Sequence, residues 1–278
     1  MPNPSTCGAE KAAGAAMFQD ADVARCYAHR PPYAPALYPF LLEQVAGRGR
    51  ALDLGCGPGT VAIVLADHFT EVVALDPSAA MIEAGRQADA GRRRNITWTR
   101  RRAEDLSTDQ PFDLVAAGTA IHWMRHEVLF PKLAAMTPVL AVIGGDGRER
   151  PPCGLGAWIE FKTRWLARVG QAYDLAALNA NARRHEPWLD LQGRAQFAFT
   201  FRQSVEDFIA AQHSTATWAR AAMGETLAEA FDRELEALLR PHAPDGLLTL
   251  ELVSELVWGA PRATPRLDPP QRHGAEPR

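Results

Sequence analysis

The chain has 278 residues, 47% hydrophobic and 23% charged, so it can bury a full core and is not a disordered polypeptide. Its 30 Lys and Arg residues against 33 Asp and Glu residues leave a net charge of −3, which argues against a nucleic-acid binder that works through bulk positive charge. The apolar runs are far shorter than the roughly 20 residues of a membrane-spanning helix, and the first residues do not read as a secretory signal.

The chain begins and ends with segments that we expect to be disordered, residues 1–16 and 261–278, because small, polar and proline residues dominate both. The pattern of residues 17–49 predicts a helical N-terminal segment that is broken at Arg30-Pro31-Pro32. Residues 50–150 then alternate helical stretches with short runs rich in Val, Ile and Leu, at 51–54, 71–76, 95–100, 112–118 and 138–145. This alternation predicts βαβ units and a doubly wound α/β fold with a parallel sheet.

The second half has a different pattern. Residues 151–192 predict a helical cap insertion, and residues 193–260 predict C-terminal strands around a helical insertion at 204–240. Ser204 and Asp207 have the spacing of a capping pair at the start of that insertion. Five of the seven tryptophans fall in this half, and four of them lie outside its predicted strands, at positions 158, 165, 188 and 218. This bias predicts a cap with an aromatic lining.

The most informative segment is ALDLGCGPGT, in which a predicted strand runs into Gly55, Gly57 and Gly59 and then into a helix. Glycine is needed where the backbone takes a positive φ or a ligand approaches closely, and a helix N-terminus favours an anionic group. Asp76 ends the next predicted strand, where a carboxylate can accept hydrogen bonds from the two hydroxyls of a ribose. The pattern predicts a nucleoside-cofactor site. Thr60 stands where the dinucleotide fingerprint GxGxxG would have its last glycine.

These residues resemble the class I S-adenosylmethionine (SAM)-dependent methyltransferases. Four motifs carry the resemblance in order: LDLGCGPGT (52–60), VVALDPSAAMIEAGR (72–86), RAEDL (102–106) and FDLVAAGTAIHWM (112–124). More narrowly, the chain resembles the trans-aconitate-methyltransferase-like branch, through Tyr27-x-x-Arg30-Pro31-x-Tyr33 and Ile121-His122-Trp123-Met124. It departs from that branch before the fifth strand, where Ala135-Met136-Thr137-Pro138 replaces the usual Pro-Gly-Gly turn.

The resemblance implies a seven-stranded Rossmann-like sheet with a helical cap, SAM as cofactor, S-adenosylhomocysteine as product, and no metal. It implies that Asp53 and the glycine loop hold the methionine end of SAM, Asp76 the ribose, and Ala103-Glu104-Asp105 the adenine. The implied cofactor-binding residues are Tyr27, Arg30, Tyr33, Asp53, Gly55, Cys56, Gly57, Gly59, Asp76, Pro77, Met81, Ala103, Glu104, Asp105, Gly118, Thr119, Ala120 and Trp123.

The reaction implied is transfer of a methyl group to a small organic acceptor, on oxygen or nitrogen. Such a displacement needs the acceptor about 3 Å from the methyl carbon in a dry pocket, and a general base only if the acceptor carries a proton at neutral pH. The candidates for a catalytic role are His122, His213 and Asp146. Their alternative roles are packing on Trp123 for His122, a helix surface for His213 and a plain turn for Asp146.

Tyr27, Arg30 and Tyr33 can fold over the cofactor as a gate, with Arg30 pairing a carboxylate. The alternative is an N-terminal helix that packs with its arginine in water. Four scattered cysteines with no CxxC spacing predict neither a zinc site nor a disulfide framework, so we expect a cytoplasmic protein.

Two arginine clusters, at 92–94 and 100–102, bracket the third strand and could contact phosphates. No aromatic stacking platform accompanies them, so a solvated rim is expected, with neither nucleic acid nor membrane as a partner. The sequence leaves two other activities open: an enzyme that cyclises or eliminates SAM itself to give methylthioadenosine, and a nucleic-acid methyltransferase. It does not decide between a monomer and a homodimer.

Overall fold

A computed structural model describes residues 18–107, 109–145, 151–171 and 180–266 of the chain. Its strands are β1 (Arg50–Leu54), β2 (Glu71–Asp76), β3 (Ile96–Arg100), β4 (Leu114–Gly118), β5 (Leu140–Gly144), β6 (Leu189–Ser204) and β7 (Leu247–Pro261). They form one seven-stranded sheet in the order β3-β2-β1-β4-β5-β7-β6. Neighbours among β1 to β5 are parallel, whereas β7 is antiparallel to β5 and β6. The predicted doubly wound α/β fold is confirmed.

Both faces of the sheet are covered, which explains why the predicted strands are continuous apolar runs. In β1, Leu52 and Leu54 belong to one apolar cluster and Ala51 to the cluster on the opposite face. The strand order reverses between β1 and β4, since the chain runs outward from β1 to β2 and β3 and then returns to β4 on its other side. In open α/β sheets a ligand crevice forms at such a switch point, outside the carboxyl ends of the strands.

Helices flank the sheet and follow the expected chain order. They are α1 (Ala21–Tyr27), α2 (Leu37–Glu43), α3 (Ala62–Leu65), α4 (Ala79–Asp89), α5 (His126–Met136), α6 (Leu155–Arg168), α7 (Val205–Gln212), α8 (Arg220–Met223) and α9 (Glu225–Leu239). The predicted cap of α7 is confirmed, because the Ser204 hydroxyl accepts the Asp207 N–H at 3.0 Å. Short 3₁₀ turns follow β3 at Ala103–Asp105 and β4 at Ile121–Trp123.

The antiparallel pair of β6 and β7 is much longer than the other strands of the sheet, and the connection between the two contains α7, α8 and α9. Strand β5 pairs only with residues 255–259 of β7, whereas β6 pairs along the whole of β7. The protruding end carries α6, α7 and α9 around a separate aromatic core that includes Trp158, Trp165, Phe208 and Phe231. The predicted boundary of the helical cap was too late, since residues 189–192 already belong to β6.

The prediction of disorder at the C-terminal end was wrong for residues 261–266. Residues 1–16 and 267–278 of the predicted disordered segments lie outside the described residues. Residues 261–266, also predicted to be disordered, lie along the sheet, where Arg262 and Arg266 each donate to Asp190 at 2.7 Å. Across the described part of the chain, no helix combines the length and the apolar character needed to cross a membrane.

Candidate active site

A cavity of about 350 Å³, here called the cleft, opens at the carboxyl ends of β1, β2 and β4. The structure brings to its wall these predicted cofactor-binding residues: Tyr27, Gly55, Gly57, Asp76, Pro77, Met81, Ala103, Glu104, Gly118, Thr119, Ala120 and Trp123. The wall also contains residues that the sequence did not predict: Phe18, Gln19, Leu75, Arg102 and Met124. The cleft therefore lies at the switch point of the sheet.

The glycine loop after β1 leaves the cleft open. Gly55 and Gly57 have φ values of +71° and +51°, where a side chain is strained. A Cβ on Gly55 would lie 2.7 Å from the Cβ of Ala120, whereas one on Gly57 would meet nothing within 4 Å. Gly59 also has a positive φ, +82°, and a second reason to be glycine, because its Cβ would collide with the ring of Trp98 at 2.4 Å. Gly59 thus serves packing and is not on the wall of the cleft.

Asp76 ends β2 with its carboxylate on the wall of the cleft. The N–H of Gly57 donates to Oδ2 at 3.0 Å, and the N–H of Ser78 donates to Oδ1 at 2.8 Å. Burial raises the pKa of Asp76, and these two N–H donors oppose that shift. Each carboxylate oxygen has a further lone pair, so the held carboxylate can still accept hydrogen bonds from a diol.

Asp53 lies behind the glycine loop and not on the wall of the cleft. Its Oδ2 accepts the N–H of Ala62 at 2.8 Å, and among the residues that the structure describes its buried Oδ1 has no hydrogen-bond partner. Burial, opposed by the hydrogen bond from the Ala62 N–H and assisted by the nearby charge of Asp76, raises the pKa of Asp53 to about 7. A buried acceptor such as Asp53 Oδ1 is expected to have a hydrogen-bond partner, and a cationic group of a ligand could supply one.

The 3₁₀ turn after β3 contributes Ala103 and Glu104 to the wall of the cleft. Glu104 is buried, and its Oε1 accepts the N–H of Arg125 at 2.9 Å. The Nε of Arg102 lies 3.6 Å from Glu104 Oε2. Asp105 is exposed and not on the wall, so the structure does not support the predicted contact of Asp105 with adenine. Arg102 lies on the wall of the cleft instead. In the sequence, the one indication of this was its position directly before Ala103.

The N-terminal segment covers the cleft. The carbonyl of Phe18 accepts the Ser78 hydroxyl at 2.6 Å, which anchors the segment to the start of α4. The Phe18 ring packs edge-on against Trp123 at 5.6 Å and Tyr27 at 6.5 Å between centroids. Phe18 and Gln19 escaped prediction because they carry no motif, and only tertiary packing brings them to the cleft.

Arg30 and Tyr33 lie next to the cleft and not on its wall. They line a second cavity of about 40 Å³, here called the chamber, with Tyr27, Pro31, Pro32, Thr60, Gly145, Phe199, Leu252, Val253 and Ser254. The Tyr33 and Thr119 hydroxyls lie 2.9 Å apart, at the boundary between the two cavities. The Arg30 guanidinium donates to the Ser214 hydroxyl at 2.6 Å and to the Tyr27 hydroxyl at 2.9 Å.

The structure places the two catalytic candidates that it describes, His122 and His213, in different parts of the fold. His122 lies on the turn after β4, its ring 5.1 Å from that of Trp123 between centroids, but it is not on the wall of the cleft. His213 was expected at the pocket or on a helix surface; it is instead buried in the helical core, with Nδ1 2.6 Å from the Trp218 carbonyl and Nε2 2.6 Å from Asp232 Oδ1. Asp146 lies outside the described residues.

Cys56 is also absent from the wall of the cleft. It is buried beneath the glycine loop, where desolvation raises the pKa of its thiol. Across the described part of the chain, no three His, Cys, Asp or Glu side chains are grouped so that they could hold a metal ion.

The described fold and cleft correspond to a known type of domain. Residues 51–144 match the family model of a methyltransferase domain. Residues 51–144 therefore form a methyltransferase domain, and the chain resembles the class I SAM-dependent methyltransferases, as its motifs indicated.

Within that class, the similar curated proteins include trans-aconitate 2-methyltransferases. The protein of that name from Variovorax paradoxus (strain S110) is 36% identical over 139 residues, which are 46% of this chain and 51% of the relative. The one from Methylobacterium nodulans is 25% identical over 199 residues, which are 69% of this chain and 75% of the relative. The chain spans about half the length of the first of these relatives. The resemblance to this branch is confirmed.

A solved structure supports the fold over a longer stretch. A protein from Anaeromyxobacter dehalogenans, provisionally assigned as a type II methyltransferase, superposes with a TM-score of 0.64 and 22% identity. The superposition covers 85% of this chain and 99% of that one. It shows that the class I fold extends beyond residues 51–144.

Proposed function

We propose that the protein transfers a methyl group from SAM to a small organic acceptor, on oxygen or nitrogen, and releases S-adenosylhomocysteine. The observation that carries the proposal is the placement of Asp76. Its carboxylate is oriented by the N–H groups of Gly57 and Ser78 on the wall of a cleft at the switch point of the sheet. An acid in this place is suited to grip the ribose of a nucleoside.

The residues present fit the cofactor. Asp76 would hold the ribose, the open backbone at Gly57 the methionine end, and Ala103 with Glu104 the adenine. Among the described residues, the buried Oδ1 of Asp53 has no hydrogen-bond partner. This atom supports the placement of a cationic group of the cofactor on the other side of the glycine loop. SAM, when bound, supplies a methyl group already activated on a sulfonium sulfur.

The chain's own contribution is to position the acceptor and to exclude water. Phe18, Tyr27 and Trp123 cover the cleft with apolar surface, which keeps the reaction away from solvent. We propose that residues 17–49 act as the gate and residues 151–192 as part of the cap. The hydrogen bond from Arg30 to the Ser214 hydroxyl links the N-terminal segment to the helical insertion at 204–240, which supports a covering role for the N-terminal segment.

The trans-aconitate 2-methyltransferases among the similar proteins support a small acceptor, and the arginine clusters give little support to a nucleic-acid substrate. Arg93 is bound by Asp67 at 2.8 and 2.9 Å and by Asp89 at 3.1 Å, so its guanidinium serves the packing of α4 against its neighbours. These ion pairs indicate that Arg93 stabilises the fold and does not bind phosphates of a nucleic acid.

The test uses the full chain with SAM. Calorimetric titration should show binding, and mass spectrometry should show S-adenosylhomocysteine only when an acceptor is added. No heat at high micromolar SAM would contradict the proposal. Methylthioadenosine formed from SAM alone would replace it with a reaction on SAM itself, and salt-dependent retention of RNA or DNA would favour a nucleic-acid substrate.

A further inference from the structure

The turn after β3 is held in place from helix α5. The ammonium of Lys132, on α5, donates to the backbone carbonyls of Glu104 and Leu106, the second at 3.1 Å. Glu104 lies on the wall of the cleft, and Lys132 lies behind it. We propose that Lys132 is a positioning residue for the cofactor, which fixes the turn against which the base of the nucleoside packs. This inference rests on the proposed function and adds a residue that does not itself touch the ligand.

The carbonyls that accept from this ammonium are those that the turn itself does not use. The Arg102 carbonyl accepts the Asp105 N–H at 3.1 Å. The Ala103 carbonyl accepts the Leu106 N–H, also at 3.1 Å. The later carbonyls of such a turn have no partner within it and need an external donor. The carbonyls of Glu104 and Leu106 find that donor in one ammonium, so the backbone between them is fixed at both ends.

A second contact joins the same turn to the start of α5. Glu104 Oε1 accepts the N–H of Arg125, the residue directly before α5, at 2.9 Å. A carboxylate at a helix N-terminus satisfies a free N–H there and is favoured by the helix dipole. Lys132 follows about two helical turns later, so both contacts come from one face of the helix. Helix α5 therefore holds both the side chain and the main chain of Glu104.

The beginning of the turn is joined to the proposed ribose site. The N–H of Arg101 donates to the carbonyl of Asp76 at 3.0 Å. The segment with Ala103 and Glu104 is thus held by the end of β2 at its start and by Lys132 at its end. A nucleoside whose ribose is held by Asp76 would present its base to this segment. A wall that is ordered beforehand lowers the ordering cost of binding the base.

Lysine is suited to this task by its donors and its reach. An ammonium carries three N–H donors on a flexible stem, so one side chain can donate to two carbonyls, and its charge strengthens both hydrogen bonds. Methionine is a long, flexible side chain without a donor, whereas arginine keeps the charge and several donors. Replacement of Lys132 by each of these residues therefore separates the effect of the donors from the effect of the bulk.

The test measures binding of S-adenosylhomocysteine and of methylthioadenosine to the full chain by calorimetric titration. Lys132→Met should raise the Kd for both ligands by a similar factor, about tenfold, because both carry the base and only the first carries the amino-acid end. Lys132→Arg should stay within about threefold of the wild type. Hydrogen exchange of the ligand-free protein should be about fivefold or more faster at residues 103–107 in Lys132→Met and unchanged in the glycine loop.

Arg48→Met is the matched control for a loss of stability alone. The Arg48 guanidinium also donates to backbone carbonyls, those of Val45 at 2.6 Å and Gly47 at 2.7 Å, but it lines neither cavity. This variant should be less stable in urea and should keep both Kd values. An unchanged Kd in Lys132→Met, an equal rise in Arg48→Met, or a rise for S-adenosylhomocysteine alone would overturn this inference.

Two further outcomes are distinguishable from these. If Lys132→Met does not fold, Lys132→Gln takes its place, since its side chain is shorter and uncharged, and a wild-type Kd in that variant would overturn the inference. Wild-type protein that binds neither ligand would overturn the proposed function itself.

Discussion

The hydroxyl of Tyr33 lies 2.9 Å from the hydroxyl of Thr119, so a residue of the N-terminal segment meets the loop after β4 at the boundary between chamber and cleft. Thr119 has a left-handed backbone with φ +48°, and its N–H donates to the carbonyl of Ile143 at 2.8 Å. A non-glycine residue in that conformation persists where its surroundings hold it, and such positions cluster at functional sites.

Tyr33→Phe should lower kcat by up to about tenfold and leave the Kd for SAM unchanged, because it removes one neutral hydrogen bond to a loop that lines the cleft while leaving Asp76 and the glycine loop intact. Steady-state kinetics and calorimetry measure the two quantities. Tyr38→Phe is the matched control, since Tyr38 lines neither cavity and its hydroxyl makes a weak contact with the Thr60 carbonyl at 3.4 Å. An equal fall of kcat in both variants would show that the Tyr33 hydroxyl has no special role.

Asp76→Ala should weaken SAM binding about 10- to 100-fold, since hydrogen bonds to a charged group are worth roughly 1.5–3 kcal/mol. The variant also frees the N–H groups of Gly57 and Ser78 that hold the loop. Calorimetric titration measures the Kd. Asp67→Ala is the control, because Asp67 pairs with Arg93 away from the cleft and should leave the Kd unchanged. Unchanged affinity in Asp76→Ala would remove the main support of the proposed function.

Gly118→Ala should abolish most of the activity without unfolding the protein. Its Cβ would lie 2.9 Å from the Tyr33 hydroxyl and 3.1 Å from Val61 Cγ2, so the tyrosine would have to move. Gly144→Ala offers a matched change at the end of the neighbouring strand, where a Cβ meets nothing within 4 Å. Rate measurements and thermal unfolding on both variants test this expectation, which fails if Gly118→Ala keeps the wild-type rate.

Asp53→Asn should gain stability relative to the wild type as the pH rises. Burial raises the pKa of Asp53 from its ordinary 3.8 to about 7, so the folded protein holds this proton more tightly than the unfolded chain. The corresponding stability is complete below about pH 4 and is lost as the pH rises through about 7. The asparagine variant lacks this loss, so its free energy of unfolding should improve relative to wild type by roughly 2–3 kcal/mol between pH 5 and pH 8.

Urea denaturation of the SAM-free protein at both pH values measures this difference. Asp67→Asn serves as the comparison, because the hydrogen bond from Arg93 lowers the pKa of Asp67 and leaves that group charged throughout the range. A pH-independent difference between Asp53→Asn and wild type would mean that Asp53 is ionised in the folded protein at pH 5.

His213→Ala should destabilise the protein by about 2–4 kcal/mol and leave the Kd for SAM unchanged, because it leaves a cavity in the helical core and removes two hydrogen bonds of a buried imidazole. Their partners are the Trp218 carbonyl and the Asp232 carboxylate, which keeps its ion pair with Arg220. Chemical denaturation and calorimetry test the two parts. Loss of activity at full stability would instead return His213 to the catalytic candidates.

Local chemistry made much of this protein predictable from its sequence. Alternating apolar runs and helices led to the doubly wound sheet, since strands buried on both faces must be continuously apolar. The glycine loop and Asp76 were identified because a turn, a strand end and their chain spacing are local properties. The Ser204 cap was predicted for the same reason, as its partner lies three residues away.

Only the tertiary structure decided what depends on distant parts of the chain. It placed Phe18 over the cleft, moved Arg30 and Tyr33 into a separate chamber, and put His213 into an aromatic core. The Phe18 position depends on contacts with Ser78 and Trp123, and the Arg30 position depends on how the helices between β6 and β7 pack against the N-terminal segment. Contacts across hundreds of residues, such as Ala34 N–H to the Ser254 hydroxyl at 2.8 Å, leave no periodic pattern in the sequence, because each is set by packing between whole elements.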